Sequence, residues 1–312
     1  MENFLDYAMK LKYEQVKKLR PRLEEMKKLL NWKAFLQLFP DYNRHSRGRG
    51  RPFYNRILML KLLFLQSWYN ISDEELEFQC NDRLSFQQFL DFPKSIPDYS
   101  TVWRFREYLA ETGLAVPIWK ELHRQIESHN IQVQEGVIQD ACFITADPGK
   151  TQSGMTGRGY GAKTSRNRDG SWTKKNNKSY FGYKLHTKTN RGSKIISEIA
   201  VTTASMHDST VDLSTSDEDV VYRDKAFTGT TCKAKGNGSM TRGKLSIWEE
   251  LRNKRIQRKR AQGEHPFATI QRSFKGGTTK LTTVPRVFVQ QLFVCAGYNL
   301  HRLHYYKKRL LA

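Results

Sequence analysis

Apolar residues recur at helical spacing from the start of the chain. Phe4, Ala8, Leu11, Leu19, Leu23, Met26 and Leu30, with Lys and Glu between them, predict helix over residues 1–40. A strongly apolar run over Phe53–Tyr69 predicts another helix, and Ser72-Asp73-Glu74-Glu75 reads as a capping box for the one after it. Ser85–Leu90 suggests a further short helix. Ser100 or Thr101 is placed to cap one more, running to Glu111 before Gly113, with Val102, Phe105 and Leu109 as its core face. The basic residues of that last helix, Arg104 and Arg106, permit a helix-turn-helix reader, although any small helical domain would show the same count of helices.

From Gly136 the pattern changes to β. Val137–Thr145 is apolar on both faces, as in a central strand. Residues 149–178 are rich in Gly, Ser, Asn, Lys and Arg with a single acid, Asp169, which predicts a long mobile hairpin or loop. Ser179–Thr189 and Lys194–Thr203 read as strands, Asp208 as the cap of a short helix, and Asp219–Tyr222 as a fourth strand ending near Asp224. Lys244–Arg260, Glu264–Phe274 and Val287–Leu310 read as helices. The expected class is therefore α+β (α/β): a helical N-terminal domain followed by a mixed-sheet domain in ribonuclease H-like order. The expected boundaries are a helical segment over 1–43, a helical DNA-binding or dimerisation domain over 44–130, and a catalytic domain over 136–312.

Charge narrows the partner. Across 312 residues, 53 Lys and Arg face 31 Asp and Glu, a formal net charge of +22. The physical partner of such a surface is nucleic acid. An anionic membrane is the rival, but the longest apolar run, around Ile57–Leu65, is interrupted by Lys61 and too short to span a bilayer. The first residues mix acids and bases with no signal-peptide core, giving the expectation of a cytoplasmic protein. Cys80, Cys142, Cys232 and Cys295 are widely spaced and argue against a zinc site; Cys142 and Cys295 lie in apolar runs and read as core.

Against this basic background, Asp140, Asp224 and Glu264 stand out. Asp140 falls mid-strand and Asp224 just past the end of another strand; Glu264 opens a helix, with Pro266 tolerated in its first turn. Three carboxylates among Lys and Arg are what metal-dependent phosphodiester chemistry needs, since two Mg²⁺ ions can activate the nucleophile and stabilise the leaving oxygen. Single acids at strand ends also cap turns, and Asp208, Asp147 and Asp219 compete for the second role. Several basic residues are candidates for DNA contact. Arg49 and Arg51, in the linker from Arg44 to Pro52, read either as a minor-groove hook or as solvated linker ahead of the next helix. Lys174, Lys175 and Lys178 read as a loop gripping DNA or as a solvated loop. Trp172 could stack on an unpaired base. His186 and His207 read as structural histidines.

Nine segments together resemble the DDE transposases of bacterial and archaeal insertion sequences, nearest the insertion-sequence-five family. The likeness runs from about Gly48 to the C-terminus. GRGRPFYNR, WYNISDEEL, DRLSFQQFL and IPDYSTVWRFREYL resemble that family's N-terminal domain. IQDACFI, KKNNKSYFGYKLH, VTTASMHDST, YRDKAFTG and RKRAQGEHPFATIQRSF resemble its catalytic domain in the family's order. The resemblance implies that Asp140, Asp224 and Glu264 are the metal-binding catalytic acids. The implied cofactor is two Mg²⁺ ions, with Mn²⁺ substituting. Lys184 lies on a strand beside the family's active site and becomes a candidate phosphate contact. Arg260 matches the family's Arg four residues before the Glu. The family's Lys seven residues after it is Gln271 here, so Arg272 or Lys275 is left to take over that contact. Ala226-Phe227 stands where relatives carry Gly-Tyr.

The interval of 40 residues between Asp224 and Glu264 leaves no room for a large β insertion, so a DNA-hairpin excision route cannot be carried over. The implied partners are double-stranded DNA, as terminal inverted repeats and as target, and a second copy of the chain in a dimer or larger assembly. Two rivals stay open: a ribonuclease H-like endonuclease or resolvase without strand transfer, and a non-catalytic DNA-binding regulator derived from a transposase.

Overall fold

The computed structural model describes residues 11–15, 18, 22–40, 53–129, 136–149, 169–175 and 177–310. The chain divides into two units. One comprises residues 1–129 with 303–312, and the other residues 130–302.

In the first unit, the helix expected over 1–40 is interrupted. Helix α1 (Arg22–Lys27) ends in a turn, and a 3-10 segment follows over Trp32–Leu38. The break coincides with a contact from a residue distant in sequence. The Gln125 side chain accepts from the Asn31 amide at 2.7 Å and donates to the Asn31 carbonyl at 3.1 Å, replacing the partners a continuous helix would supply. The Trp32 indole then donates to the Lys27 carbonyl at 2.9 Å.

Helix α2 (Arg56–Tyr69) is buried on nearly every side between Leu58 and Leu65, as its unbroken apolar run requires. Its one interior charge, Lys61, pairs with Asp91, and its ammonium lies 5.4 Å from the Trp32 ring centroid. Helices α3 (Asp73–Asp82) and α4 (Leu84–Phe89) follow. Ser72 caps α3 as expected, accepting from the Glu75 amide. Helix α5 (Tyr99–Thr112) is capped one turn earlier than Ser100 or Thr101: the Asp98 carboxylate accepts the Thr101 amide at 2.6 Å. Helix α6 (Ala115–Glu127) is an addition to the expected elements, and buries Ile118, Trp119, Leu122 and Ile126 on one face.

The second unit is built on a seven-stranded mixed sheet: β1 (Val137–Ala146), β2 (Ser171–Lys175), β3 (Lys178–Asn190), β4 (Ile196–Thr203), β5 (Val220–Arg223), β6 (Gly236–Ser239) and β7 (Thr278–Thr279). The order is β2-β3-β1-β5-β6, with β4 also on β3 and β7 also on β1. β2 forms a hairpin with β3, so part of the expected 149–178 loop is strand; residues 150–168 lie outside the described residues. The fourth and fifth strands of the catalytic order, β5 and β6, run parallel to β1. Helices α7 (Ile247–Arg260), α8 (Glu264–Ser273) and α9 (Val284–Leu310) complete the chain. Asn299 of α9 is fully buried and closes the end of β4, accepting from the Ile196 amide at 2.9 Å and donating to its carbonyl at 2.7 Å. The fold class is the expected one, helices followed by a mixed α+β sheet.

Candidate active site

Asp140 stands in the middle of β1. Beside it, β5 pairs with β1 through Val137 opposite Val221 and Ile138 opposite Tyr222. The chain leaves β5 at Arg223, so Asp224 emerges beside the stretch of β1 that carries Asp140. Ile138, Tyr222, Met240 and Ile256 form the apolar floor that joins β1, β5 and α7. α7 has a full capping box at Ser246 and Glu249, with Arg258, Lys259 and Arg260 in its last turn, where the helix dipole favours cations. A short 3-10 turn at Ala261–Gly263 then leads into α8, which opens on Glu264.

Gly263 sets this junction. A Cβ there would sit 2.7 Å from Ile138 Cγ2, so only glycine lets the start of α8 lie this close to β1. Asp224, Glu264, Arg260, Gln257, Lys225 and Met240 line one cleft of about 330 Å³. Asp140 joins it through Arg260, whose Nη2 lies 3.0 Å from Asp140 Oδ2. Arg260 thus contacts Asp140 and lines the same cleft as Asp224 and Glu264.

Asp140 feels the charges of Arg260, Asp224 and Asp208. Burial pushes the Asp140 carboxyl above its ordinary pKa; Arg260 opposes the shift, and the negative charges of Asp224 and Asp208 add to it. The Ala141 amide also donates to Asp140 Oδ1 at 2.9 Å. Asp224 Oδ1 accepts the Ala226 amide at 2.9 Å, so this acid caps a turn while its remaining oxygen is left to the cleft. Beneath it, buried Arg223 pairs with Asp212 and stands 5.0 Å from the Phe227 ring centroid. Gln139 anchors the neighbouring loop, donating to the Val211 carbonyl at 2.5 Å.

Three carboxylates offer only hard oxygen donors, the set that suits Mg²⁺ or Mn²⁺. Among the described residues no three His, Cys, Asp or Glu side chains are already gathered as a formed metal site. Arg260 supplies positive charge at Asp140.

The candidate DNA contacts fall into groups. Lys174, Lys175 and Lys178 are exposed on the β2–β3 hairpin, and Arg104, Arg272 and Lys275 are exposed as well. Arg106 is held internally by Asp73, at 2.5 and 2.7 Å, and by Gln66 at 2.8 Å. Lys184 is buried and donates to the Met206 carbonyl at 2.6 Å and to Asp208 at 2.8 Å. Arg49 and Arg51 lie outside the described residues. His186 is buried on Thr202 Oγ1 at 2.9 Å, and His207 caps the 3-10 turn that Asp208 was expected to cap. Cys295 is core as expected, whereas Cys142 is half-buried.

The spacing of charged residues gives no sign of Phe143 and Tyr180, whose rings stack at 4.9 Å. Their meeting depends on the register between β1 and β3, and the alternation of apolar residues along each strand was the only signal pointing to it.

Residues 11–108 match the family described as Transposase domain (DUF772), and residues 131–300 match Transposase DDE domain. The second match covers more than half of the chain: it belongs to the DDE transposases of insertion sequences. It is thus a DNA transposase of a family that uses divalent metal ions. No solved structure matches the chain. No helix among the described residues is long and apolar enough to cross a membrane.

Proposed function

We propose that this transposase binds the terminal inverted repeats of its insertion sequence, cleaves at the ends, and joins the freed 3′-OH groups to target DNA. Asp140, Asp224 and Glu264 are the acids that hold two Mg²⁺ ions, with Mn²⁺ as a substitute. The observation that supports this reading is that Arg260 lines one cleft with Asp224, at the end of β5, and Glu264, at the start of α8, and pairs with Asp140 of β1. When bound, the metal pair would activate the attacking oxygen and neutralise charge on the leaving one.

The chain's own groups do the rest. Arg260 holds Asp140 by its Nη2. The exposed lysines of the β2–β3 hairpin and Arg272 and Lys275 grip the backbone on either side. Arg106 and Lys184 serve as structural ion pairs first. Because two ends are processed together, the working assembly is a dimer or larger, acting in the cytoplasm on chromosomal DNA.

The test is direct. Asp140→Asn, Asp224→Asn and Glu264→Gln should each lower metal-dependent cleavage and strand transfer by roughly 10³-fold or more, the scale of several kcal/mol of lost transition-state charge stabilisation. DNA affinity, which rests on Lys and Arg, should change little. Wild-type cleavage by any one variant removes that residue from the site. Cleavage without joining would favour the endonuclease reading.

A further inference from the structure

Helix α7 buries Asn253 and Ile256 and leaves its other side to solvent. At 3.6 residues per turn, that outer side carries Ile247, Leu251, Lys254, Arg255 and Arg258, with Trp248 at its edge. Ile247 is 77% and Trp248 79% exposed. Neither belongs to a frayed end, because the Ser246–Glu249 capping box holds the first turn. Arg242 and Lys244 are exposed just ahead of the helix. The side is therefore apolar at its centre and basic before and after. A single exposed apolar side chain needs no partner, but three on adjoining turns of an ordered helix mark a surface that another molecule covers.

A complement to it must be apolar at the centre and acidic on both sides. Helix α3 has that pattern, against the net charge of +22. It carries Asp73, Glu74, Glu75, Glu77 and Asp82 and no Lys or Arg. Leu76 and Cys80 face inward, while Glu74, Phe78 and Asp82 stand exposed at i, i+4 and i+8, Phe78 at 61%. Each of those two acids lies about 6 Å along the axis from Phe78, the same spacing as Arg255 from Leu251. Two of the remaining acids have tasks within the unit: Asp73 pairs with Arg106, and Glu77 accepts the Tyr99 amide at 2.7 Å. Other occupants of the α7 side match it less well. A second α7 would set Lys254, Arg255 and Arg258 against their own kind. Duplex DNA would suit those bases, but it offers nothing to Ile247 and Leu251 and would be repelled by α3.

We propose that α7 of each copy docks on α3 of a second copy, Ile247 and Leu251 against Phe78, and the flanking bases against Glu74 and Asp82. This names the contact of the assembly described under the proposed function, and it rests on that part of the reading. α7 ends at Arg260 and leads to Glu264, so the docking side and the acidic cleft share one helix.

Sedimentation velocity of the full-length protein, without DNA and at physiological salt, tests the contact. The wild type should be a dimer. Glu74→Lys with Asp82→Lys should weaken association by roughly 100-fold or more, because like charges would then face each other. Lys244→Glu with Arg255→Glu should do the same. This second variant lowers the net positive charge, so general repulsion between copies would instead favour its association. Phe78→Ala and Leu251→Ala should each weaken the dimer about 10-fold. All six side chains are exposed, so the fold does not depend on them. The deciding sample is an equal mixture of the two charge variants. There a basic α3 meets an acidic α7 and an acidic α3 meets a basic α7, so the dimer should return. Mixing repairs neither a folding defect nor a contact made within one chain. Loss in both variants without recovery on mixing therefore overturns the proposal. A wild-type dimer that both charge variants retain overturns the contact and leaves the assembly standing, whereas a wild type that stays monomeric at every concentration removes both. If Lys244→Glu with Arg255→Glu stays dimeric but binds duplex DNA more weakly, the α7 side belongs to DNA instead.

Discussion

Burial raises the pKa of the Asp140 carboxyl; Arg260 opposes the shift, and the charges of Asp224 and Asp208 add to it. His186 shows the opposite case, a titratable group that the fold keeps neutral. Burial depresses its pKa from 6.5 to about 4; Asp208 opposes the shift and Lys184 adds to it. The unfolded chain therefore takes up a proton near pH 6.5 that the folded chain accepts only near pH 4. Stability from this residue is complete above pH 6.5 and is lost as the pH falls through 4. The shift of about 2.5 units corresponds to about 3 kcal/mol. In urea denaturation, the wild type should lose about 2–3 kcal/mol more than His186→Gln between pH 7 and pH 4.5. Parallel pH profiles for the two proteins would mean that His186 titrates normally in the fold.

Between elements, the decisive contact is that of Gly263 with Ile138, because it fixes α8 against β1 and so sets where Glu264 points. Gly263→Ala should force the junction outward. We expect a destabilisation of about 1–3 kcal/mol from overpacking and a fall in cleavage of roughly 10²-fold, with DNA affinity unchanged. Unchanged cleavage would show that this contact does not position Glu264. Much of the element pattern was legible in the sequence, because long periodic runs dominate it: α2, β1, β3, β4 and the last three helices fall near their expected limits. What escaped depended on partners distant in sequence. Gln125 breaks the first helix from 94 residues away. β6 and β7 are short, and β6 is half glycine, so neither carries an apolar alternation. The three acids were singled out by their places at a strand, a strand end and a helix start, together with the family resemblance, while Asp208, Asp147 and Asp219 stayed in competition. The Arg260–Asp140 pair and the Phe143–Tyr180 stack were not legible, since each needs the register of separate elements.

At the scale of the whole molecule, the net charge of +22 supplies attraction to DNA without saying which sequence is bound. On the function proposed above, the acids and the hairpin lysines would meet backbone, which carries little sequence information. That proposal assigns discrimination between terminal repeats and other DNA to the first unit, where Arg104 and Trp103 stand exposed on α5. The two contributions can be separated in the intact, metal-free protein by measuring affinity against salt for repeat DNA and for a scrambled duplex. Neutralising Lys174, Lys175 and Lys178 together should weaken both complexes equally and reduce the slope of log affinity against log salt by about 2–3, near 0.9 for each phosphate left without its lysine. Arg104→Gln should instead cost about 1–3 kcal/mol on the repeat alone, shifting the slope by no more than about one. If the hairpin variant loses repeat preference while Arg104→Gln keeps it, recognition lies with the sheet and the helical unit has another task.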